Sequence, residues 1–427
     1  MAFSHLFFKL ISYPRFRLLT VLMSSSVIFL SACGSDDNDS VFNGPNNGIP
    51  VNNIKNPVVS TPTVYDKTDM TNVAGESVVM TYNMLGVNGK QVQATSLVFT
   101  PNTPAPANGW PIVVWAHGTT GVADQCAPSR NPLNIYIQGM ITQLLNAGYV
   151  VVAPDYEGLG EPSGNELHPF LNLKSEAYSI TDAVVAARNY LGVKVSNQWM
   201  AVGHSQGGHA ALGAAQYASR ASNLVYKGTV ALAPASNLPL VLTAGESAAA
   251  KETNMTKKIT ALASLDTFTA LITAGLRNPN PSLQYSQIFK SPTDNIAKNA
   301  EVDCYDVLGQ KFGKGMVDYA NINGSVNNYP RTQTNFMGIP VVKTFLEKDS
   351  QPLQVKVSTP VIIYQGSLDP TVPKEVTDIL YSSAIKQNTS IRYLTDELGT
   401  TKWDHGAVYA LNISNIITDV KSLMAIQ

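Results

Sequence analysis

Residues 199–212 read WMAVGHSQGGHAAL. Trp199 to Gly203 is a short apolar run of strand character, and from Gln206 to Ser219 alanine and glycine dominate a helical stretch. Between them lies Gly203-His204-Ser205-Gln206-Gly207, a G-x-S-x-G pentapeptide. A serine on a sharp strand-to-helix turn is forced into a strained backbone conformation that presents its Oγ at the edge of the sheet. Side chains at the two flanking positions would clash with neighbouring backbone, so Gly203 and Gly207 answer a steric demand. The helix N-terminus that follows favours negative charge developing nearby.

Working outward, strands and helices alternate. Glu76–Leu85 and Gln91–Thr100 are β-rich, and Asn88-Gly89 between them favours a tight hairpin turn. Pro111–Ala116 and Tyr149–Ala153 are short continuous apolar runs, as expected of strands buried on both faces. Ile135–Ala147 has helical character. Ser175–Leu191 carries Ala177, Ile180, Val184, Ala187 and Leu191 on one stripe. Gly228–Ala233, Pro360–Gln365 and Ser390–Leu394 read as further strands. A helix begins near Pro373, and another runs from Gly406 to about Leu423. The pattern predicts an α/β class chain with a mostly parallel, doubly covered sheet and an antiparallel N-terminal hairpin. Residues 64–235 and 359–427 form that core. Residues 236–358 break the rhythm: a helical stretch over Glu246–Leu276, the breaker Asn278-Pro279-Asn280-Pro281, then a polar part rich in Asn and Tyr. A structureless loop of that length is improbable, so the segment reads as an inserted, mainly helical cap or lid. A separate domain is the alternative.

A serine nucleophile needs a base, and the base an orienting acid. On elbows of this kind the chain order is Ser, Asp or Glu, His. After Ser205 only His209 and His405 remain. His209 lies one helical turn beyond the elbow and cannot easily turn back to Oγ, whereas His405 follows the last strand. Asp369, just past Pro360–Gln365, lies where parallel sheets gather catalytic groups. Asp396 and Asp404 are its rivals, and Asp404 adjoins His405 in sequence, where neighbouring side chains diverge. An oxyanion hole needs two aimed donors. The backbone N–H of Gln206 is one, and His117-Gly118-Thr119-Thr120-Gly121 supplies the other, with Thr119 preferred to Thr120. Asp155 and Glu157, after Tyr149–Ala153, read as loop-tying residues more readily than as site residues. The six histidines show no metal-binding spacing, and no phosphate-binding loop is present. No metal or organic cofactor is expected.

The chain has 427 residues, 44% hydrophobic and 14% charged, which excludes wholesale disorder. Its formal net charge of −1 gives no basic field for nucleic acid. Lys9, Arg15 and Arg17 precede an apolar run that ends in Leu30-Ser31-Ala32-Cys33, the pattern of an export signal over residues 1–32. Those last four residues resemble a bacterial lipobox, which implies lipidation at Cys33 and a membrane anchor. Ordinary signal cleavage is the alternative. Gly34 and Ser35 carry no inner-membrane retention signal, so the outer membrane is the preferred location. Residues 33–63, poor in core-forming side chains, read as a solvated, disordered tether. In an oxidising compartment the two remaining cysteines, Cys126 and Cys304, are expected to form a disulfide.

Taken together, GHSQGG, HGTTG followed by Cys126-Ala127-Pro128-Ser129, and Ala153-Pro154-Asp155-Tyr156-Glu157-Gly158-Leu159-Gly160 resemble the secretory lipase family of the α/β-hydrolases. His168-Pro169, Ser175-Glu176-Ala177-Tyr178 and the Gly-x-x-Asp-x-x-Val-Pro pattern around Asp369 are similar too. The resemblance runs from about Thr100 to the C-terminus. It implies an α/β-hydrolase fold, hydrolysis of acylglycerols or related esters, a cap carrying the acyl pocket, and Ser205, Asp369 and His405 as the triad. The substrate partner is then an ester or lipid. Competing readings are a peptidase or amidase with the same triad, or a non-catalytic surface lipoprotein.

Overall fold

Apolar runs too short for helices become the centre of a sheet. In the computed structural model, which describes residues 48–164 and 166–426, the strands are β1 (Thr63–Val64), β2 (Glu76–Leu85), β3 (Gln91–Thr100), β4 (Trp110–Ala116), β5 (Val150–Pro154), β6 (Val195–His204), β7 (Val225–Leu232), β8 (Val361–Gln365) and β9 (Ile391–Thr395). They form one sheet in the order β1-β2-β3-β5-β4-β6-β7-β8-β9. The pairs from β5 to β9 are parallel, and β1, β2 and β3 form the antiparallel edge. Cys33, and with it the signal and lipobox reading, lies outside the described residues.

Helices α1 (Ile135–Asn146), α2 (Leu173–Leu191) and α3 (Gln206–Tyr217) connect the first strands. An insert between β7 and β8 carries α4 (Leu238–Lys251), α5 (Met255–Arg277), α6 (Tyr285–Ile288), α7 (Thr293–Ala297), α8 (Tyr305–Asn323) and α9 (Pro340–Thr344). Helices α10 (Lys374–Lys386), α11 (Ala407–Ala410) and α12 (Ile413–Met424) follow. The period-two geometry of β4 sends Ile112 and Val114 into a core shared with α2 and α3, and Val113 and Trp115 into one shared with α1 and α12. Both faces are therefore covered, which is why the central strands are apolar without alternation.

Several local expectations need correction. The first hairpin is longer than a two-residue turn: Gly86 exchanges hydrogen bonds with Gly89 and Lys90, and Gly89 carries φ 73°. The single helix expected over Glu246–Leu276 is two, α4 and α5, because Asn254 caps α5 by accepting from the Lys257 N–H at 3.1 Å. The polar part after Asn278 contains the 19-residue α8. Its buried stripe is only Leu308, Phe312 and Met316, and Gly309, Gly313 and Gly315 dilute the periodic signal. The final helix is broken at Leu411-Asn412 into α11 and α12. The tether expected over 33–63 does not hold for its described part. Asn52 hydrogen-bonds the Arg220 backbone and the Asp182 carboxylate, the Asn83 N–H donates to the Pro57 carbonyl, and β1 pairs with β2.

The insert has its own apolar core around α5, which Phe170, Leu171 and Val122 join from below. By length and composition α5 could cross a membrane, yet most of it is buried inside the protein. A disulfide between Cys126 and Cys304 ties the segment after β4 to the residue preceding α8, and the Tyr305 N–H donates to the Thr120 carbonyl at 2.8 Å beside it. The bond closes a loop with a sequence separation of 178 residues. Restricting so long a loop in the unfolded chain stabilises the fold by roughly 2–5 kcal/mol. Thermal unfolding with and without dithiothreitol should therefore show a lower Tm on reduction, reproduced by Cys304→Ser. An unchanged Tm in both would contradict a stabilising role for the bond.

Candidate active site

Parallel strands deliver their connecting loops to one edge of the sheet, and the site is assembled there from β6, β4, β8 and β9. Ser205 lies between β6 and α3 with φ 60° and ψ −119°, a positive φ that a residue with a side chain rarely adopts. Close approach explains its glycines. A Cβ on Gly203 would stand 2.0 Å from the Gly207 carbonyl oxygen, and one on Gly207 would stand 1.9 Å from that of Ala116. The Ser205 carbonyl accepts from the N–H groups of His209 at 3.1 Å and Ala235 at 3.3 Å. That fixes the plane of the Ser205–Gln206 peptide, whose N–H points the opposite way.

The loop after β8 brings Asp369, and the loop after β9 brings His405. His405 Nε2 lies 2.8 Å from Ser205 Oγ, and its Nδ1 lies 2.8 Å from Asp369 Oδ2. Asp369 Oδ1 accepts from the N–H groups of Thr371 and Val372, each at 2.9 Å. Oδ2 also faces the Gln365 amide at 3.3 Å, and Thr377 holds the other end of that amide. The carboxylate is thus fully engaged and cannot rotate away from the imidazole.

The two rival carboxylates act on the loops instead. Asp396 accepts from the Ser367 N–H, the Ser367 hydroxyl and the Trp403 N–H, clamping the Asp369 loop to the His405 loop. Asp404 accepts from the N–H groups of Gly406 and Ala407 and starts α11. His204 was not singled out from sequence. Its Nε2–H donates to the His405 carbonyl at 2.6 Å, and its ring packs between His405 and Tyr409. Burial, then the neighbouring His405, pushes the His204 pKa down to about 3, so it serves as a neutral donor. Position x of G-x-S-x-G gave no signal of this role.

Thr119 lines the same cavity as Ser205 and Gln206, whereas Thr120 turns its carbonyl to Tyr305. The cavity measures about 1070 Å³. Leu238, Val241, Leu242, Leu265, Phe268 and Ile272 from α4 and α5 wall it, with Phe170 and Leu171 below and Val372 beside Asp369. Lys251, Glu252, Lys257 and Glu375 border it. The polar, Asn- and Tyr-rich part of the insert does not supply the wall.

His209 points away from Ser205 Oγ, toward Glu176 and the Ser350 carbonyl. Asp155 accepts from the Thr95 hydroxyl and the Ser129 N–H, and Glu157 from the Val87 N–H and the Ser175 hydroxyl. Both are buried loop ties that do not reach the cavity. Desolvation lifts the Asp155 pKa to about 6 and that of Glu157 to about 7, against the pull of their hydrogen bonds.

The secretory lipase family profile matches residues 134–418. The chain belongs to the secretory lipase family. No curated protein matches the sequence. Among solved structures it is similar to Candida antarctica lipase A in its closed state, at 16% identity and TM-score 0.65 over 87% of this chain and 82% of that one. It is also similar to a ligand-bound form of the rice cell wall degrading esterase LipA from Xanthomonas oryzae, at 18% identity and TM-score 0.60 over 86% of this chain and 98% of that one. A third neighbour is a hydrolase from Legionella pneumophila, at 19% identity and TM-score 0.62 over 82% of this chain and 89% of that one. These likenesses establish the α/β-hydrolase fold. Membership of the secretory lipase family makes the protein a carboxylic ester hydrolase.

Glu157 gives a pH test of the loop-tying role. Its folded pKa is raised, so the folded state holds a proton that the unfolded chain has already lost between about pH 4.5 and about pH 7. The contribution of Glu157 to stability therefore falls as pH rises through that window. Glu157→Gln should gain stability relative to wild type from pH 5 to pH 8 in urea unfolding, with kcat unchanged. A pH-independent difference, or a large loss of kcat, would contradict this assignment.

Proposed function

We propose that this ester hydrolase works through a Ser205–His405–Asp369 triad and an acyl-enzyme, on esters whose acyl chain is medium to long. The hydrogen-bonded series from Ser205 Oγ through His405 to Asp369, opening into a cavity walled by leucine, valine, isoleucine and phenylalanine, carries the reading.

The chemistry follows from the contacts. His405 Nε2 takes the proton of Ser205 Oγ as the oxygen attacks the ester carbonyl, and Asp369 holds the imidazole through Nδ1–H. The Gln206 and Thr119 backbone N–H groups receive the oxyanion, a kind of contact worth roughly 3–4 kcal/mol each in related hydrolases. His405 then protonates the departing alcohol, and water activated by the same base releases the acid. The acyl chain leaves water for the α4–α5 wall, gaining about 0.8 kcal/mol per buried methylene. The apolar part of the wall rewards length, and the charged Lys251, Glu252, Lys257 and Glu375 stand at its border.

Hydrolysis of p-nitrophenyl esters from C4 to C16 tests the reading. Activity should be highest at C8 or longer and fall roughly 10³-fold or more in Ser205→Ala. Activity confined to C4 would reject the acyl-pocket reading, and activity that survives in Ser205→Ala would reject the triad.

A further inference from the structure

Beneath the elbow lies a second cluster of ionisable groups that the reaction above does not use. His168, Glu176 and His209 are fully buried, and Gln206 is 1% exposed. We propose that Glu176, acting through the Gln206 side chain, is a positioning residue for the oxyanion donor. This rests on the reading that the Gln206 N–H receives the oxyanion.

Hydrogen-bond accounting fixes the orientation of the Gln206 amide. His168 Nδ1–H donates to the Glu157 carbonyl at 2.8 Å, so its Nε2 offers a lone pair. Burial pushes the His168 pKa down to about 4 and keeps that ring neutral. The Gln206 Nε2 group donates to His168 Nε2 and to Glu176 Oε1, each at 2.8 Å. Both amide hydrogens are thereby committed. A flipped amide would set its oxygen against a carboxylate and a lone pair, so one orientation is selected. Glu176 Oε1 also accepts from the Leu171 N–H at 3.1 Å, and Oε2 lies 2.6 Å from His209 Nδ1. His209 Nε2 faces the Ser350 carbonyl at 3.1 Å, which can only accept, so that nitrogen carries a hydrogen.

Gln206 Oε1 is buried and makes no hydrogen bond to another protein group, so the amide is held through its NH2 end alone. What the amide achieves is geometric. The Ser205 carbonyl is already pinned by the His209 and Ala235 N–H groups. Anchoring the Gln206 side chain pins the other end of the same peptide, so the N–H between them keeps its aim as charge develops.

Steady-state kinetics on p-nitrophenyl octanoate test this, with active enzyme counted by fluorophosphonate titration of Ser205. Gln206→Met should lower kcat per titrated site roughly 10- to 100-fold with KM within about twofold, a partial loss of an oxyanion donor. Glu176→Leu, which removes the acceptor, should show the same split, whereas Glu176→Gln, whose amide oxygen can still accept from Gln206, should keep most of the wild-type kcat. The double variant of Gln206→Met with Glu176→Leu should be no slower than Gln206→Met alone, because both changes act through one group. A kcat for Gln206→Met within about threefold of wild type overturns the proposal, as do losses that multiply in the double variant. Should Glu176→Leu fail to fold, Gln206→Met and Glu176→Gln decide: a slow Gln206→Met beside a near-wild-type Glu176→Gln supports the proposal, and any other pattern overturns it. Wild-type enzyme that neither titrates with fluorophosphonate nor turns over would instead sink the underlying triad reading.

Discussion

One strained peptide organises this molecule. Ser205 at φ 60° can persist only because β6 and α3 on either side of it are locked into the sheet and its cover. The turn is so tight that two positions accept no side chain, Gly203 against Gly207 and Gly207 against Ala116. Everything else at the site is placed relative to that serine. Its carbonyl is held from α3 and from the residue after Pro234, and its hydroxyl meets the imidazole brought by the far end of the sheet.

The second constraint is that an imidazole and a carboxylate arriving on separate loops must be held at 2.8 Å contacts. Asp396 does this from between the loops, and His204 does it from beneath His405. Over the site, the insert contributes hydrophobic walls and is fastened to the core by the Cys126–Cys304 bond. Ser205, His405 and Asp369 therefore sit between the sheet edge and a largely apolar cavity wall.

Much of this was legible from sequence because it rests on local rules. The central strands and the elbow follow from short apolar runs and from glycine at two fixed offsets. That Asp369 and His405 meet Ser205 follows from the rule that a parallel sheet gathers its loops at one edge. The rest depends on contacts between residues far apart in the chain. Asp396 looked like a rival acid because its partners, Ser367 and Trp403, belong to two loops whose meeting no local pattern announces. In sequence Glu176 is one residue of a family-like stretch and His209 a histidine one turn past the elbow. Their pairing needs α2 and α3 to pack side by side. The insert was the least legible part. Glycines interrupt the stripe of α8, and a three-residue break with an asparagine cap divides α4 from α5.

The central claim is that the imidazole of His405 makes Ser205 the nucleophile. The most direct measurement is acid-quenched turnover of p-nitrophenyl octanoate followed by mass spectrometry of the digested protein. The account predicts an octanoyl group on the peptide containing Ser205, absent from His405→Ala. An octanoyl group on another residue, or equal labelling of Ser205 without His405, would contradict it.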